Sequence, residues 1–492
     1  MQKNALLLVI LFFSALYPLN AAYSKPDNNY ASPQYADINL SGPHNRIAQT
    51  GETHLYLPIV ARPPGVSSDL RDGWYLMVDD GHLFSREVER VYHPFKKYRN
   101  NPVLRADKSW EGRVIQLYGT VLPGFRMWYS SYNHAGSYTQ VLYAESTDGL
   151  NWVKPNLDGN GNNALFGGQG ANMVSVLNTT QDLERPYKLM AYQGGVFNGF
   201  WSMDGVHTHP YVENPLISMD SDIAQFYWDP NTSMYRGTTK GKEVVGEISR
   251  KIVRFFDSSD FVNWSPRPEV LTPDDLDDQI SNGMNTHFYG LPVFPAGEQY
   301  LGLLWVLKAR DQIGWVGPVD VQLVSSHDGV NWIREGGERP PILELGSPGS
   351  WDDGQIYTAT QPLRVENKLW LYYSGCNLEH GGDLRTITCS IGLAKADYHR
   401  LASLEGTGIV LTQLLELAGP DLHVNYEASQ GSIMIELLRD GEVIPGYEAA
   451  SCDPLLGDEI DRTVSWSGQT TLPEGPLQIS FQLHNSALYA FR

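Results

Sequence analysis

Short apolar segments separated by turn residues dominate residues 71–404, and they come in groups of three. One group is His287–Phe294, Tyr300–Leu307 and Val319–Ser325. Segments of this length, bounded by Gly, Pro, Asn and Asp, predict β-strands. Because no long stretch shows helical periodicity, the pattern predicts an all-β chain.

A short phrase, Ser-x-Asp-Gly-x-x-Trp, follows the groups of strands. It is complete at Ser146–Trp152 and Ser326–Trp332, and looser copies centre on Asp204, Asp260 and Asp397, about 56 to 69 residues apart. The Asp accepts backbone N–H groups in a tight turn, the Gly supplies a positive φ, and the Trp packs between neighbouring sheets. Repeats of this length with only strands between them are typical of propeller blades. The sequence therefore predicts a five-bladed β-propeller whose marker turns are structural.

The regions outside the repeats predict three further segments. Residues 1–22 have a basic start, an apolar run and small residues at Ala21 and Ala22, which is typical of a secretory signal peptide. Residues 23–70 lack periodicity and are expected to form an extended leader. Residues 405–492 alternate apolar and polar positions and predict a small C-terminal β-sandwich of the jelly-roll type. We expect Trp74–Val78 to supply the outermost strand of the last blade and so close the ring.

Net charge, the N-terminal pattern and the cysteines indicate which partners the protein binds and in which cellular compartment it is found. The formal net charge of −20 argues against a nucleic-acid partner or an anionic membrane. The signal peptide predicts a secreted or periplasmic protein. Cys376 and Cys389 flank one hairpin, and a disulfide and two reduced thiols are both compatible with that spacing, whereas Cys452 has no obvious partner. Nothing in the sequence indicates an oligomeric state.

Carboxylates recur just before the predicted inner strands, whose starts form the mouth of a propeller channel. The candidate catalytic residues are Glu111, Asp222, Asp353 and Asp80. Hydrolysis of a glycosidic bond requires two carboxyl groups, one as acid and one as base or nucleophile. A third carboxylate raises the pKa of the acid by like-charge repulsion.

Other polar and aromatic side chains at the same positions are candidates for sugar binding. They are Asp79, Trp110, Arg113, Asn172, His287, Tyr289, Tyr357 and His380. Sugar rings stack on aromatic faces, and the polar groups reach hydroxyls. No organic cofactor is required for this chemistry. Carboxylates and carbonyls in a channel suit a Ca²⁺ ion, although the sequence specifies no set of metal ligands.

Four segments carry a resemblance to a known group of proteins. They are Val78-Asp79-Asp80, the run from Asn101-Pro102 to Glu111-Gly112, Tyr289–Phe294 and Cys452-Asp453-Pro454. Together with the five repeats, they resemble exported bacterial members of the five-bladed propeller glycoside hydrolases, the superfamily of the family 32 fructosidases and the family 43 arabinofuranosidases and xylosidases. The resemblance implies an Asp base or nucleophile on blade one, a further Asp on blade two or three and a Glu acid on blade three. Here the only Glu at such a position is on blade one. The assignment of acid and base therefore stays open among five carboxylates: Asp79, Asp80, Glu111, Asp222 and Asp353.

The expected function is therefore an exported glycoside hydrolase that cleaves a plant or algal polysaccharide or oligosaccharide. One alternative is a non-catalytic propeller that binds carbohydrate or docks onto a partner. Another is a sugar lyase or phosphorylase. A phosphorylase requires clustered Arg, Lys or His for phosphate, and the starts of the predicted inner strands contain few of these.

Overall fold

A computed structural model describes residues 65–492, apart from 134–137, 158, 160, 170–171, 220 and 336. The predicted signal peptide and nearly all of the predicted leader lie outside the described residues. In the described part, strands predominate, and the helical elements are the short helix Asp275–Ile280 and the 3-10 turn Ala449–Ser451. The all-β fold class is confirmed. Within the described residues, no helix is long and apolar enough to cross a membrane.

Five antiparallel sheets of about four strands follow one another along the chain and form the propeller. Blade one contains Val114–Leu122, Arg126–Asn133, Tyr138–Ser146, Trp152–Val153 and Ala164–Gln169. Blade two contains Asn172–Asn178, Tyr187–Gln193, Val196–Ser202 and His209–Pro210. Blade three contains Ala224–Asp229, Met234–Val245, Ile248–Ser258 and Ser265–Leu271.

The last two blades have inner strands in two pieces. Blade four contains Asn285–Gly290, Val293–Ala296, Gln299–Ala309, Val319–Ser326 and Pro341–Leu343. Blade five contains Gln355–Thr358, Leu363–Val365, Lys368–Cys376 and Cys389–Asp397, and Val66–Ser67 pairs with its inner edge. The first strands of neighbouring blades pack on one another around the axis.

Four of the five marker turns form as predicted, at Asp148, Asp204, Asp260 and Asp328, whereas the Asp397 carboxylate pairs with Lys368. In each, the Asp Oδ1 accepts the backbone N–H groups two and three residues downstream, as Asp148 does from Leu150 and Asn151 at 2.8 Å. Gly149 has a φ of 72°. Trp152 packs edge-on against Tyr372 of blade five at 5.4 Å, so this turn fastens blade one to blade five. The markers are scaffold elements.

The ring closes through a different segment from the one expected. The outer strand of blade five is Lys96–Lys97, which pairs with Ala394 and Lys395. The prediction for Trp74–Val78 is wrong, because Tyr75–Leu76 pairs with Ala490 and Phe491 of the C-terminal domain. Tyr75 stacks on Phe491 at 5.0 Å, and this apolar contact directs the segment to the sandwich.

The C-terminal domain takes strands from both ends of the described chain. Its long strands are Ala402–Thr412, His423–Arg439 and Gln478–Phe491, and its shorter ones are Leu83–Arg86, Glu89–Tyr92, Glu442–Val443 and Leu455–Thr463. The three long strands break register at the same level, between Gly406 and Gly408, between Glu427 and Ser432, and opposite them at 484–487. Such breaks bend strands, so the sheet folds over one buried core as a sandwich. Cys452 lies in this core as a free thiol, whereas Cys376 and Cys389 form a disulfide.

Removing the buried carboxylate at the point of closure should destabilise the propeller. Asp352 Oδ2 lies 2.6 Å from Lys97 Nζ and accepts the Tyr373 hydroxyl at 2.9 Å. We expect Asp352→Asn to lower the free energy of unfolding by about 2–4 kcal/mol, because a buried ion pair loses one partner. Asp397→Asn breaks the exposed pair with Lys368 and should cost less than about 1 kcal/mol. Urea denaturation measures both, and equal losses would contradict this role for Asp352.

Candidate functional site

The inner strands of all five blades begin at one end of the propeller, which we call the mouth. Five side chains from blades three, four and five meet there and form what we call the hub cluster. They are Asp222, Lys240, Tyr289, Tyr357 and His380. Tyr289 and Tyr357 lie 5.6 Å apart between ring centroids, and the Lys240 ammonium lies 4.2 Å from the centre of the Tyr289 ring. Tyr118 of blade one extends this aromatic surface at 4.7 Å from Tyr357.

Asp222 is the carboxylate of the hub cluster. Its Oδ1 lies 2.5 Å from Lys240 Nζ, and 41% of its side-chain surface is accessible. Burial raises the pKa of this carboxyl, but the Lys240 ammonium lowers it, and the net shift is downward. Asp222 is therefore ionised at neutral pH and within reach of a ligand.

Tyr289 and His380 form a directed hydrogen-bonded pair. His380 Nδ1 lies 2.5 Å from the Trp315 carbonyl oxygen, which only accepts, so the hydrogen of the neutral ring is on Nδ1. Nε2 then accepts from the Tyr289 hydroxyl at 3.0 Å. Burial, partly opposed by this carbonyl, lowers the pKa of His380 to about 4, and it raises the pKa of Tyr289 well above its usual value. Both side chains are neutral at pH 7.

Tyr357 is fixed by a second hydrogen-bond chain. Its hydroxyl donates to Gln355 Oε1 at 2.6 Å, and Gln355 Nε2 donates to the Leu378 carbonyl at 2.8 Å. The whole side chain is buried, as the 0% exposure of Tyr357 shows. The aromatic part of the hub is therefore rigid before any ligand binds.

A second lysine lies beside the hub cluster. The Lys251 ammonium is 5.6 Å from the Tyr289 ring centre and donates to the Gly314 carbonyl. Burial, and then Lys240 and Lys242, lower the pKa of Lys251 to about 8. The backbone N–H of Lys251 donates to His287 Nδ1 at 3.1 Å, and the pKa of His287 falls to about 4, mainly through burial.

Glu111 does not belong to this group. It is 0% exposed, and its carboxylate accepts the backbone N–H groups of Asp107 and Lys108, the Lys154 ammonium at 2.7 Å and the Tyr129 hydroxyl at 2.8 Å. These contacts occupy both oxygens within blade one. The expectation that Glu111 lines the mouth is wrong, because this buried network holds the residue away from solvent.

The other predicted carboxylates also have separate partners. Asp353 accepts the Gly349 N–H at 2.6 Å and closes its own loop. Asp80 pairs with Arg86 and Arg90. Asp79 is buried and joins His327 at 2.7 Å, which fixes the N-terminal turn to blade four. The structure therefore brings Asp222 to the hub but not the other three predicted catalytic residues.

The remaining predicted binding residues divide between the hub and the scaffold. His287, Tyr289, Tyr357 and His380 lie at the mouth. Trp110 donates to Asn163 Oδ1 at 3.0 Å and packs in the core between blades one and five. Arg113 donates to the Arg385 carbonyl in the loop closed by the disulfide. The side chain of Asn172 lies outside the described part of the structure.

Sequence analysis missed Lys240 and Lys251. It considered only the starts of the inner strands, but the hairpin between the second and third strands of a blade turns at the same end of the propeller. Inspection of these hairpins in the sequence would have found the Lys240-Gly-Lys242 run and Lys251. Among the described residues, no group of three or more His, Cys, Asp or Glu side chains is arranged to hold a metal ion.

Comparison with known proteins gives distant structural similarity. No protein-family model and no curated protein matches the chain. A solved N-acetylgalactosamine deacetylase from F. plautii, in complex with blood group B trisaccharide, is 18% identical over 64% of this chain and 96% of its own, with a TM-score of 0.43. A glycosyl hydrolase from Bacteroides ovatus is 14% identical over 62% and 94%, with a TM-score of 0.44. A β-1,2-mannobiose phosphorylase from Listeria innocua is 9% identical over 63% and 98%, with a TM-score of 0.42.

Similarity of this degree does not assign a reaction to the chain. The three solved proteins are described as a deacetylase, a hydrolase and a phosphorylase, so one description cannot be transferred. Membership of families 32 or 43 stays a prediction. The residues of the hub cluster have to support any functional conclusion.

The neutral, buried His380 should make stability depend on pH. Its pKa is about 4 in the folded protein and near 6.5 when unfolded, so the unfolded chain binds more protons between these values. Stability should therefore rise with pH from about 4 to 6.5, with up to about 3 kcal/mol from this residue. We expect His380→Gln to reduce the slope of melting temperature against pH in that window, while the buried His287 continues to contribute. The exposed His484→Gln should leave the slope unchanged, and an equal effect of the two variants would contradict the assignment.

Proposed function

We propose that the chain is an exported carbohydrate-active enzyme that binds a polysaccharide or oligosaccharide at the hub cluster and hydrolyses a glycosidic bond. The observation that carries the proposal is an accessible, ionised Asp222 at the mouth of a five-bladed propeller, where the exposed Trp315 ring lies 5.0 Å from the His380 ring. Aromatic faces bind the apolar faces of sugar rings, and a carboxylate accepts their hydroxyls. The combination suits sugars better than purely apolar ligands.

The hub cluster offers a base for hydrolysis. In the proposed reaction, water attacks the anomeric carbon as the glycosidic C–O bond breaks. Asp222 accepts a proton from the water, the leaving oxygen takes a proton from solvent, and Asp222 then returns its proton to solvent. The Tyr289 hydroxyl donates to His380 Nε2, and its raised pKa makes it a weak acid, so Tyr289 does not supply the proton.

A non-catalytic, carbohydrate-binding propeller is the second candidate. One observation favours it: Glu111, Asp353 and Asp80 are engaged by other partners, so Asp222 is the one predicted catalytic carboxylate that reaches the hub. Hydrolases of this kind usually use two carboxyl groups. Binding of sugar without turnover would identify this alternative.

The proposal includes export of the protein and a reaction that needs no organic cofactor. The signal-peptide pattern of residues 1–22 supports export, and the Cys376–Cys389 disulfide fits an oxidising compartment. The reaction drawn above requires neither an organic cofactor nor a metal, although a Ca²⁺ ion remains compatible with the proposal. The acidic net charge argues for a carbohydrate partner over nucleic acid.

Substitution of Asp222 tests the proposed function. The mature chain is screened for release of reducing sugars from plant and algal polysaccharides, and the active substrate is then used with Asp222→Asn. We expect kcat/KM to fall about 10³-fold, because the proton acceptor is lost, while the melting temperature stays close to that of the unchanged chain.

Two predicted carboxylates serve as matched controls. Asp353→Asn should retain kcat/KM within about 3-fold, since Asp353 only closes its own loop. Glu111→Gln should lower the free energy of unfolding by about 3 kcal/mol, because Lys154 loses a buried partner, without a specific loss of kcat/KM in the folded protein. Full activity of Asp222→Asn would overturn the proposed enzyme. Binding of the polysaccharide without any release of sugar would replace it with the non-catalytic candidate.

A further inference from the structure

Among the described side chains, positive charge exceeds negative charge at the hub. Lys240 is 9% exposed and Lys251 is 6% exposed, and their ammonium groups lie 4.2 Å and 5.6 Å from the centre of the Tyr289 ring. Asp222 is the carboxylate that pairs with Lys240. The ammonium of Lys251 has the Gly314 carbonyl as its hydrogen-bond acceptor. Two buried cations therefore share one carboxylate.

The acidic side chains near Lys251 already have other hydrogen-bond or ion-pair partners. Asp311 accepts the backbone N–H groups of Ile313, Trp315 and Val316 at 2.7–3.0 Å. Asp278 forms a two-pronged pair with Arg250. Glu379 pairs with Arg310. Among the described side chains, no acid makes an ion pair with Lys251.

A neutral hydrogen-bond donor is also unused beside Lys251. Because His287 Nδ1 accepts the Lys251 N–H, the hydrogen of the neutral ring is on Nε2. His287 is 0% exposed, and within the described residues its Nε2 has no hydrogen-bond partner. Buried donors without acceptors are costly, and they recur where a ligand completes the set.

Keeping the buried Lys251 ammonium charged costs free energy unless a counter-charge binds beside it. Burial and the repulsion from Lys240 and Lys242 both disfavour the charged form of Lys251. A bound anion would reverse this balance, because it would attract both ammonium groups and would accept hydrogen bonds from them.

We propose that Lys251 and Lys240 form an oxyanion subsite at the edge of the hub cluster. The inference rests on the proposed function and specifies the chemistry of its ligand: an oxyanion, carried by the sugar or bound beside it. A uronic-acid carboxylate and a sulfate ester on the sugar both have the required chemistry, and so does inorganic phosphate that enters beside a neutral sugar. The subsite binds the negative group, and Asp222 faces the sugar ring.

Paired ligands of equal shape test the subsite. Isothermal titration calorimetry with the full mature chain compares galacturonate with galactose and glucuronate with glucose, at constant ionic strength held with sodium chloride. Sodium sulfate and sodium phosphate are titrated alone as further probes. We expect each acid that fits to bind at least about 10-fold more tightly than its neutral counterpart, because charge-assisted hydrogen bonds form with the ammonium groups.

Variants of lysines on the hairpin of blade three distinguish binding at the subsite from nonspecific attraction of anions to the protein. Lys251→Met removes the buried charge with little change in volume and should abolish the preference for acids. Lys251→Arg keeps the charge and should retain part of it. Lys242→Met removes an exposed lysine of the same hairpin and should change the affinity less than about 2-fold, because exposed charges are screened. Melting temperatures confirm that each variant is folded.

The results of these experiments distinguish an acidic sugar from free phosphate as the source of the negative group. They also separate the oxyanion subsite from the proposed function. A preference for uronates that Lys251→Met removes supports an acidic sugar. Binding of phosphate alone with the same dependence, together with sugar release that requires phosphate, supports the subsite with free phosphate as its ligand. Equal binding of acids and neutral sugars, with Asp222-dependent activity retained, would overturn the subsite but not the proposed function. Tight binding of anions without any sugar binding or cleavage would overturn the proposed function and, with it, the acidic-sugar assignment.

Discussion

Closure of the propeller ring is the constraint on which the site depends. The chain achieves it by adding Lys96–Lys97 to blade five, by burying the Lys97–Asp352 pair, and by packing Trp152 of blade one against Tyr372 of blade five. A closed ring has no exposed inner sheet edge, and it turns the starts of five inner strands toward one axis. Asp222, Tyr289 and Tyr357 are far apart in the sequence, and they meet only because the ring is closed.

The electrostatics of the hub follow from this convergence. Burial alone would neutralise an isolated carboxylate, but Lys240 keeps Asp222 ionised, whereas Tyr289 and His380 are kept neutral by the same burial. An ionised, accessible carboxylate is the proton acceptor that the proposed reaction requires. Among the described side chains, Lys251 has no matching acid, so the hub combines neutral, buried aromatic rings with a positively charged edge.

Local patterns predicted the scaffold well. The Asp turns depend on contacts two and three residues away, so the phrases around Asp148, Asp204, Asp260 and Asp328 were sufficient to predict them, and their spacing indicated five blades. The strand Lys96–Lys97 carries no apolar signal, because a short, charged edge strand does not need one. Trp74–Val78 has a strong apolar signal that suits either of two cores, and only tertiary packing selects the sandwich.

The site was less accessible to sequence reasoning because burial and pairing decide what a carboxylate does. Glu111 and Asp222 occupy similar places before inner strands, yet Glu111 is enclosed by Lys154, Tyr129 and two backbone N–H groups, whereas Asp222 remains accessible. The lysines were missed because they are on a hairpin and not at the start of a strand.

The most direct measurement of the central claim is a crystal structure of the chain with a bound oligosaccharide from its active substrate. The account predicts a sugar ring at the mouth, with a hydroxyl or the anomeric centre within hydrogen-bonding distance of Asp222. The propeller has a second opening at the far ends of the inner strands, a cavity of about 480 Å³ lined by residues that include Thr120, Trp228 and Thr360. Sugar bound only there, or only on the C-terminal sandwich, would contradict the assignment of the hub.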